Sequence, residues 1–232
     1  MKCRVMRRHC PNISVIIPAL DEELHIEKAI HSVAGADEVL VVDGGSRDAT
    51  CEIVGNLPCE LIHAPRGRGQ QLRNGAGRAS GDVLLFLHAD CWLAPGALEQ
   101  LRDLADRHQD RPLFGAFRQR IDGPQMRYRW LERGNAARVN WCRLPYGDQG
   151  MFIDHESYRA SGEMAAVPLM EDVILSRAAA KICRPVLLPG PIHVSPRRWR
   201  KHGVVSRTLQ NWFILSAFFC GVPTERLAKW YR

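Results

Sequence analysis

The chain has 8 cysteines among 232 residues, yet no CxxC pair and no paired cysteine framework. That disfavours a disulfide-stapled scaffold, and it makes a flexible tail about ten times better a reading of Cys3, His9 and Cys10 than a zinc site. Cys51, Cys183 and Cys220 sit in apolar stretches, where a thiol behaves as a small hydrophobe. Reduced thiols in a cytoplasmic protein are therefore expected. The basic N-terminus, with Cys3, His9 and Cys10, lacks a long apolar core, so residues 1–11 read as a flexible tail and not as a signal peptide. No GlyLysSer or GlyLysThr occurs, which excludes a Walker A loop. No apolar run reaches the roughly twenty residues that a membrane span needs. There is no internal repeat, no low-complexity linker and no recognised nucleic-acid module, so nucleic acid is not an expected partner.

What is present suits a globular enzyme. The apolar fraction, 46%, is enough for one substantial core. Acidic residues are outnumbered, giving a net charge of +7, which favours nucleotides, phosphorylated lipids or an anionic membrane surface.

From residue 13 to residue 90 the pattern alternates. Apolar strands at 13–18, 38–43, 60–63 and 82–88 are separated by helices at 22–33, 47–54 and 70–79. Strands that are apolar throughout and separated by helices imply a mostly parallel sheet covered on both faces, an α/β, Rossmann-like architecture. The second half is less regular, with helices expected at 95–107, 127–138 and 171–180 and strands at 114–120, 150–153 and 186–188. A core domain over 12–196 and a helical C-terminal extension over 197–232 follow from this pattern.

Chemistry clusters at the ends of the strands, where open α/β sheets bind ligands. The run LeuLeuPheLeuHisAlaAsp, 84–90, ends in His88 and Asp90, whose i, i+2 spacing puts both on one face of a strand. Asp favours Mg²⁺ or Mn²⁺, and His suits Mn²⁺. AspGlyGlySer, 43–46, lets a backbone approach a ligand closely, with Asp43 able to accept from a base N–H or a ribose hydroxyl. Alternatively Ser46 or Asp48 simply caps the next helix. AlaLeuAspGluGlu, 19–23, ends the first strand in a similar acidic turn. ArgGlyArgGlyGlnGln, 66–71, is a basic Gly-rich loop running into a helix, an anion site.

These segments, with AspGlnGlyMetPhe (148–152), GluAspVal (171–173) and SerProArgArgTrp (195–199), occur in an order that resembles the family-2 glycosyltransferases of the GT-A fold. The closest resemblance is to the bacterial subgroup described as radical-SAM/selenodomain-associated transferases. It covers nearly the whole chain. The resemblance implies a nucleotide-sugar donor, a divalent cation, Mg²⁺ or Mn²⁺, and inverting transfer to an acceptor hydroxyl. It implies nucleoside contacts at Ala19, Glu22 and Asp43 and a metal position at Asp90. The chain departs from the family's AspXAsp motif, with His88 in the first position. The family's GluAsp pair falls on Glu171 and Asp172, with Asp172 the base.

The full donor site is expected to comprise Pro18, Ala19, Leu20, Glu22, Asp43, Gly45, Arg68, Gln71, His88, Ala89 and Asp90. Asp148, Gln149 and Gly150 are expected at the acceptor, a lipid or a small molecule, and His193 as a further metal ligand. The rivals are a nucleotidyltransferase, disfavoured because the loop after the first strand is acidic, and a non-catalytic nucleotide-binding protein. ArgArgTrpArgLys, 197–201, is either a solvated face or a neutraliser of phosphate. Val205, Leu209, Trp212, Ser216 and Phe219 share one helical face, which packs on the core, forms a homodimer interface or lies on the inner face of a membrane.

Overall fold

A computed structural model describes residues 10–108, 111–197, 199 and 203–231. Residues 1–9 of the expected N-terminal tail, including Cys3 and His9, lie outside the described residues. The chain folds around one eight-stranded mixed sheet in the order β3-β2-β1-β4-β7-β6-β8-β5. Its strands are β1 (Ile13–Ala19), β2 (Glu38–Asp43), β3 (Glu60–His63), β4 (Val83–Phe86), β5 (Cys91–Leu93), β6 (Phe114–Ile121), β7 (Met151–Asp154) and β8 (Val186–Val194). The first four are parallel to one another. β7 then runs antiparallel between β4 and β6. The α/β, mostly parallel mixed sheet read from the periodicity is thus the observed one.

All seven residues of β1 are buried, because helices cover both sheet faces. Alternation sorts them. Val15 and Ile17 join the cluster that contains Ile26 and Ile30 of α1 (Ile26–His31) and Leu98 and Leu101 of α4 (Ala97–Arg107). Ile16 joins Leu72 and Ala76 of α3 (Arg68–Arg78) on the other face. α3 presses so closely that a Cβ on Gly75 would lie 2.5 Å from Ile16 Cγ2.

The structure differs from the periodicity in instructive places. α1 begins at Ile26 and α2 (Thr50–Gly55) at Thr50, each later than expected. The residues before them are spent on bonds between the two loops. β8 continues past Leu188 through ProGlyPro, with its ladder to β6 irregular between Phe117 and Gln119. β5 and α6 (His155–Ala160) are too short to show in the pattern. Pro11 is buried, and its carbonyl accepts from Arg102 Nη1 at 3.4 Å, so the packed domain already includes residue 11.

The remaining helices are α5 (Met126–Cys142), α7 (Glu171–Ala179), α8 (Val204–Phe219) and α9 (Thr224–Trp230). Ile214 and Leu227, both fully buried, pack with Leu169, so the C-terminal helices lean on the domain beside the site. The apolar stripe of α8 faces outward instead. Val205, Leu209, Trp212 and Phe219 are exposed, with Trp212 at 68%.

Candidate active site

The carboxyl ends of β1 and β2 carry two acidic loops that stitch each other together. Asp21 Oδ1 accepts from Arg47 N–H at 2.8 Å, and the Ser46 hydroxyl accepts from Asp21 N–H at 3.0 Å. Thr50 Oγ1 accepts from Glu22 N–H at 2.8 Å, and Asp48 Oδ2 accepts from Glu23 N–H at 3.1 Å. Asp43 is buried at the end of β2 and accepts from Gly45 N–H at 2.8 Å and from Ser46. Burial by itself raises the Asp43 carboxyl, but the bonds from Ser46 and Gly45 outweigh it and hold the group below its ordinary 3.8. Gly45 adopts φ +92°, a conformation that favours glycine and aims its N–H at that carboxylate.

Beneath these loops Gln71 is buried on α3. Its Nε2 donates to the carbonyls of Ala19 at 2.7 Å and Val42 at 2.8 Å, tying the two strand ends together. Pro18, Ala19, Leu20, Glu22, Arg68, Gln71, His88, Ala89 and Asp90 line one cleft with Arg66 and Gly67. Nine of the eleven expected donor positions therefore share a cavity. Asp43 and Gly45 do not line it. Glu22 Oε2 is buried and has no hydrogen-bond partner among the described residues. It is an acceptor that a ligand donor would satisfy.

His88 and Asp90 are brought together by a turn and not by strand alternation. β4 stops at Phe86, and Cys91 N–H donates to the His88 carbonyl at 3.0 Å. Ligand atoms of His88, Asp90 and Cys91 lie within 4.8 Å of one another, all buried. A carboxylate and an imidazole fit Mn²⁺, and the carboxylate fits Mg²⁺, while the thiol is a soft ligand that neither prefers. The donor set thus accommodates the cation expected from the sequence. Arg197 Nη2 lies 3.2 Å from Asp90 Oδ2 and also pairs with Glu22. Sequence reading placed this residue in a basic run but had no means of finding those partners.

A second cavity shares Arg68, His88 and Asp90 with this cleft and is lined also by Tyr146, Asp148, Asp172, Ser195, Trp199 and residues of α8. Asp172 Oδ2 accepts from Gly147 N–H at 2.9 Å, and its Oδ1 from Val173 N–H at 2.8 Å, which holds the carboxylate at the mouth of α7. A Cβ on Gly147 would stand 2.6 Å from His88 Nε2 and 3.4 Å from Asp172 Oδ2. Glycine is what lets those two side chains close on that turn. Glu171, 1% exposed, pairs with Arg68. Burial pushes its carboxyl up against the attraction of Arg68. Its Oε2 has no hydrogen-bond partner among the described residues. Burial also lifts the Tyr146 phenol to about 12.

Besides Asp43 and Gly45, three expected positions fall elsewhere. His193 stacks flat on Trp92, ring centroids 5.4 Å apart, and its neighbours across the ladders are Trp92 and Arg120. Among the described residues two groups bring three possible metal ligands within 4.8 Å, and His193 is in neither. Alternation along β8 turns it away from the cleft that Val194 lines. Gln149 is fully buried, its Oε1 accepting from Arg138 Nη2 at 2.9 Å and from Tyr146 N–H at 3.2 Å. Gly150 packs on Phe117 and Ile192. Of the expected acceptor triplet, Asp148 reaches the cavity.

A sheet of this order, with its ligand cleft at the carboxyl ends of β1 and β4, is a GT-A-type α/β fold. The family model for glycosyl transferase family 2 matches residues 14–167, and the chain belongs to that family. It is 32% identical over 108 residues, 41% of its own length, to the Campylobacter jejuni GalNAc(5)-diNAcBac-PP-undecaprenol beta-1,3-glucosyltransferase. The chain covers 35% of that relative and so spans about a third of its length. A crystal structure of S. aureus TarS is similar in fold, with a TM-score of 0.63 at 16% identity, covering 95% of this chain and 70% of that one. So is Mycobacterium tuberculosis glucosyl-3-phosphoglycerate synthase in complex with Mn²⁺ and UDP-glucose, with a TM-score of 0.57 at 19% identity, covering 80% of this chain and 70% of that one. The described helices include none long and apolar enough to cross a membrane.

Proposed function

We propose that the protein transfers a sugar, with inversion, from a nucleotide-diphosphate donor to an acceptor hydroxyl, and that it falls in the radical-SAM/selenodomain-associated subgroup of its family. The observation that carries this is the sharing of His88, Asp90 and Arg68 between the donor-side cleft and the cavity that holds Asp172. A donor phosphate and an acceptor hydroxyl would meet at those three residues.

In this reading Glu22 and the 19–22 backbone face the nucleoside end of the donor. Asp43 acts one step back, by shaping the 43–46 loop. Asp90 and His88 would hold a divalent cation, which supplies positive charge to the leaving diphosphate. Asp172 is the general base. Its carboxylate takes the acceptor hydroxyl proton as that oxygen bonds to the anomeric carbon, and the bond from carbon to the diphosphate oxygen breaks. Glu171 is a positioning residue that keeps Arg68 at the junction of the two cavities.

The acceptor is a lipid or small molecule reached from the α8 side. The outward stripe of Val205, Leu209, Trp212 and Phe219 is suited to peripheral contact with the anionic inner face of a membrane, in a cytoplasmic protein with a net charge of +7. Sedimentation with anionic liposomes tests this. Binding lost in Trp212→Ser, Leu209→Ser supports it, whereas a stable dimer that buries the stripe replaces it.

The reaction is tested first by a thermal-shift screen of UDP-, GDP-, ADP- and dTDP-sugars with Mn²⁺, Mg²⁺ or EDTA. Native-state binding must raise the melting temperature. A metal-dependent shift with one nucleotide class supports the reading, and no shift with any of them favours a non-catalytic protein of the same fold.

A further inference from the structure

Asp43, Cys51 and His63 come from three consecutive elements and meet at one corner of the sheet. Asp43 ends β2 and His63 ends β3. The two are partners in the parallel ladder, so their side chains leave the sheet on the same face. Cys51 lies in the first turn of α2, the helix between those strands in the chain. Each residue offers one ligand atom, a carboxylate oxygen, a thiol sulfur and an imidazole nitrogen, and the three lie within 4.8 Å of one another. His63 Nδ1 stands 3.6 Å from Asp43 Oδ2. That is too long for a hydrogen bond. It suits the edge of a metal tetrahedron, roughly 3.3–3.8 Å when the bonds are about 2.0–2.3 Å.

The carboxylate can take a cation without releasing its loop. Asp43 Oδ2 accepts from Gly45 N–H at 2.8 Å and shares Ser46 N–H with Oδ1, at 3.1 and 3.2 Å. If Oδ2 gives up its share, that N–H keeps Oδ1. The Cys51 thiol is hydrogen-bonded to the same carboxylate. A cation that replaces the thiol proton keeps sulfur and oxygen bridged, and the proton leaves to solvent.

One thiolate, one imidazole and one carboxylate make a set that suits Zn²⁺, and the soft sulfur weighs against Mg²⁺ and Mn²⁺. Asp43 is buried, Cys51 half-buried and His63 exposed, so the fourth position faces solvent and would hold water. β3 is a four-residue strand at the sheet edge with β2 its only strand neighbour. An ion held by all three residues would tie that edge strand and the short α2 to the end of β2.

We propose that Asp43, Cys51 and His63 form a zinc site, separate from the Asp90 group, that clips β3 and α2 to β2. It does not depend on the transferase reading.

The test uses the full chain, stripped of metal with EDTA and kept reduced. It is titrated with Co²⁺, whose thiolate complexes absorb in the near ultraviolet, and then with Zn²⁺. A thiolate band that Zn²⁺ removes is expected in the wild type. Cys51→Ser should abolish it, His63→Ala should weaken Co²⁺ binding at least tenfold, and Cys91→Ser, which alters the buried group with His88 and Asp90, should leave it in place. Zn²⁺ should also raise the melting temperature of the wild type but not of His63→Ala. The His63 side chain is exposed, so this second variant keeps the core intact should Cys51→Ser fail to fold. The absence of a thiolate band in the wild type, a band unchanged by Cys51→Ser, or equal Co²⁺ affinity in wild type and His63→Ala overturns the proposal. A band lost in Cys91→Ser but kept in Cys51→Ser also overturns it and moves the soft cation to the His88 group.

Discussion

Arg197 Nη2 lies 3.2 Å from Asp90 Oδ2, so the carboxylate best placed to hold a cation already faces a cation from the other end of the chain. The same guanidinium pairs with Glu22 of the donor-side cleft. A divalent ion approaching Asp90 meets this charge and must displace it or share the carboxylate. Arg197 is 40% exposed in its side chain, so solvent screens the pair and its removal is worth only about 1 kcal/mol. Arg197→Ala should therefore tighten Mn²⁺ binding, measured without nucleotide by calorimetry, about threefold to tenfold. Unchanged affinity would mean that the ion pair and the cation do not compete.

Asp90 is the hard ligand of the buried group with His88 and Cys91. Asp90→Ala should abolish the part of nucleotide stabilisation that EDTA removes, read as the difference in melting temperature with Mn²⁺ and with EDTA. His88→Ala should reduce that difference without eliminating it. A full Mn²⁺ effect in Asp90→Ala would remove the metal role from this carboxylate.

Asp172 accepts two backbone N–H bonds, at Oδ2 from Gly147 and at Oδ1 from Val173, and in Asp172→Asn the remaining oxygen keeps one of them while the amide nitrogen cannot accept the other. Asp172→Asn should still fold, less stable by about 1–3 kcal/mol for the N–H left without its acceptor, and should bind donor within about twofold of wild type. Its kcat should fall about 10²- to 10⁴-fold, the usual contribution of a general base. Near-normal turnover with the cognate acceptor would assign proton transfer to another group.

Gln71 donates to two buried carbonyls at the ends of β1 and β2. Gln71→Ala takes that donor from both, but the Ala19 carbonyl still accepts from Gly44 N–H at 2.9 Å, so the loss is about 1–3 kcal/mol. Urea unfolding should show it as a lower midpoint, and donor affinity should weaken because the 19–22 and 43–46 loops separate. An unchanged midpoint would show that water replaces the amide.

Asp43 has a carboxyl held below its ordinary 3.8 by Ser46 and Gly45 against the raising effect of burial. The unfolded chain then binds this proton more readily than the folded one, so stability rises with pH through that range. The contribution of Asp43 is complete above its unfolded value and is lost as pH falls through the folded one. In Asp43→Asn, stability should be lower than wild type at pH 7, and the gap should narrow as pH drops below about 4. Denaturant unfolding at pH 7, 4 and 3 measures this, and a gap independent of pH would contradict it.

Much of the cleft at the strand ends was legible in the chain because it is local. The apolar runs at 13–18, 38–43 and 82–88 must be buried on both faces, and a parallel sheet then forces their carboxyl ends, with the residues that follow, to one edge. That is why the segments carrying Glu22, Gln71 and Asp90 could be placed at one edge from the pattern, while their grouping as one donor site came from the resemblance to family 2. The finer roles were not legible. Asp21 and Glu23 carry the same chemistry as Glu22 but are consumed by backbone N–H groups of the neighbouring loop. His193 reads as a ligand by type, and one residue of strand register turns it onto Trp92.

The sequence by itself determined the sheet, its helical cover and the edge at which ligands bind, since these follow from periodicity and from short-range turn chemistry. Only the tertiary structure decided which charges answer which. Arg197 reaches Asp90, Arg207 lines the cavity that holds Asp172, and Glu171 holds Arg68 from more than a hundred residues away. The outward turn of the α8 stripe belongs there too. A helical pattern says that Val205, Leu209, Trp212 and Phe219 share a face, but it is the seating of Ile214 beside Leu169 and Leu227 that turns that face to solvent.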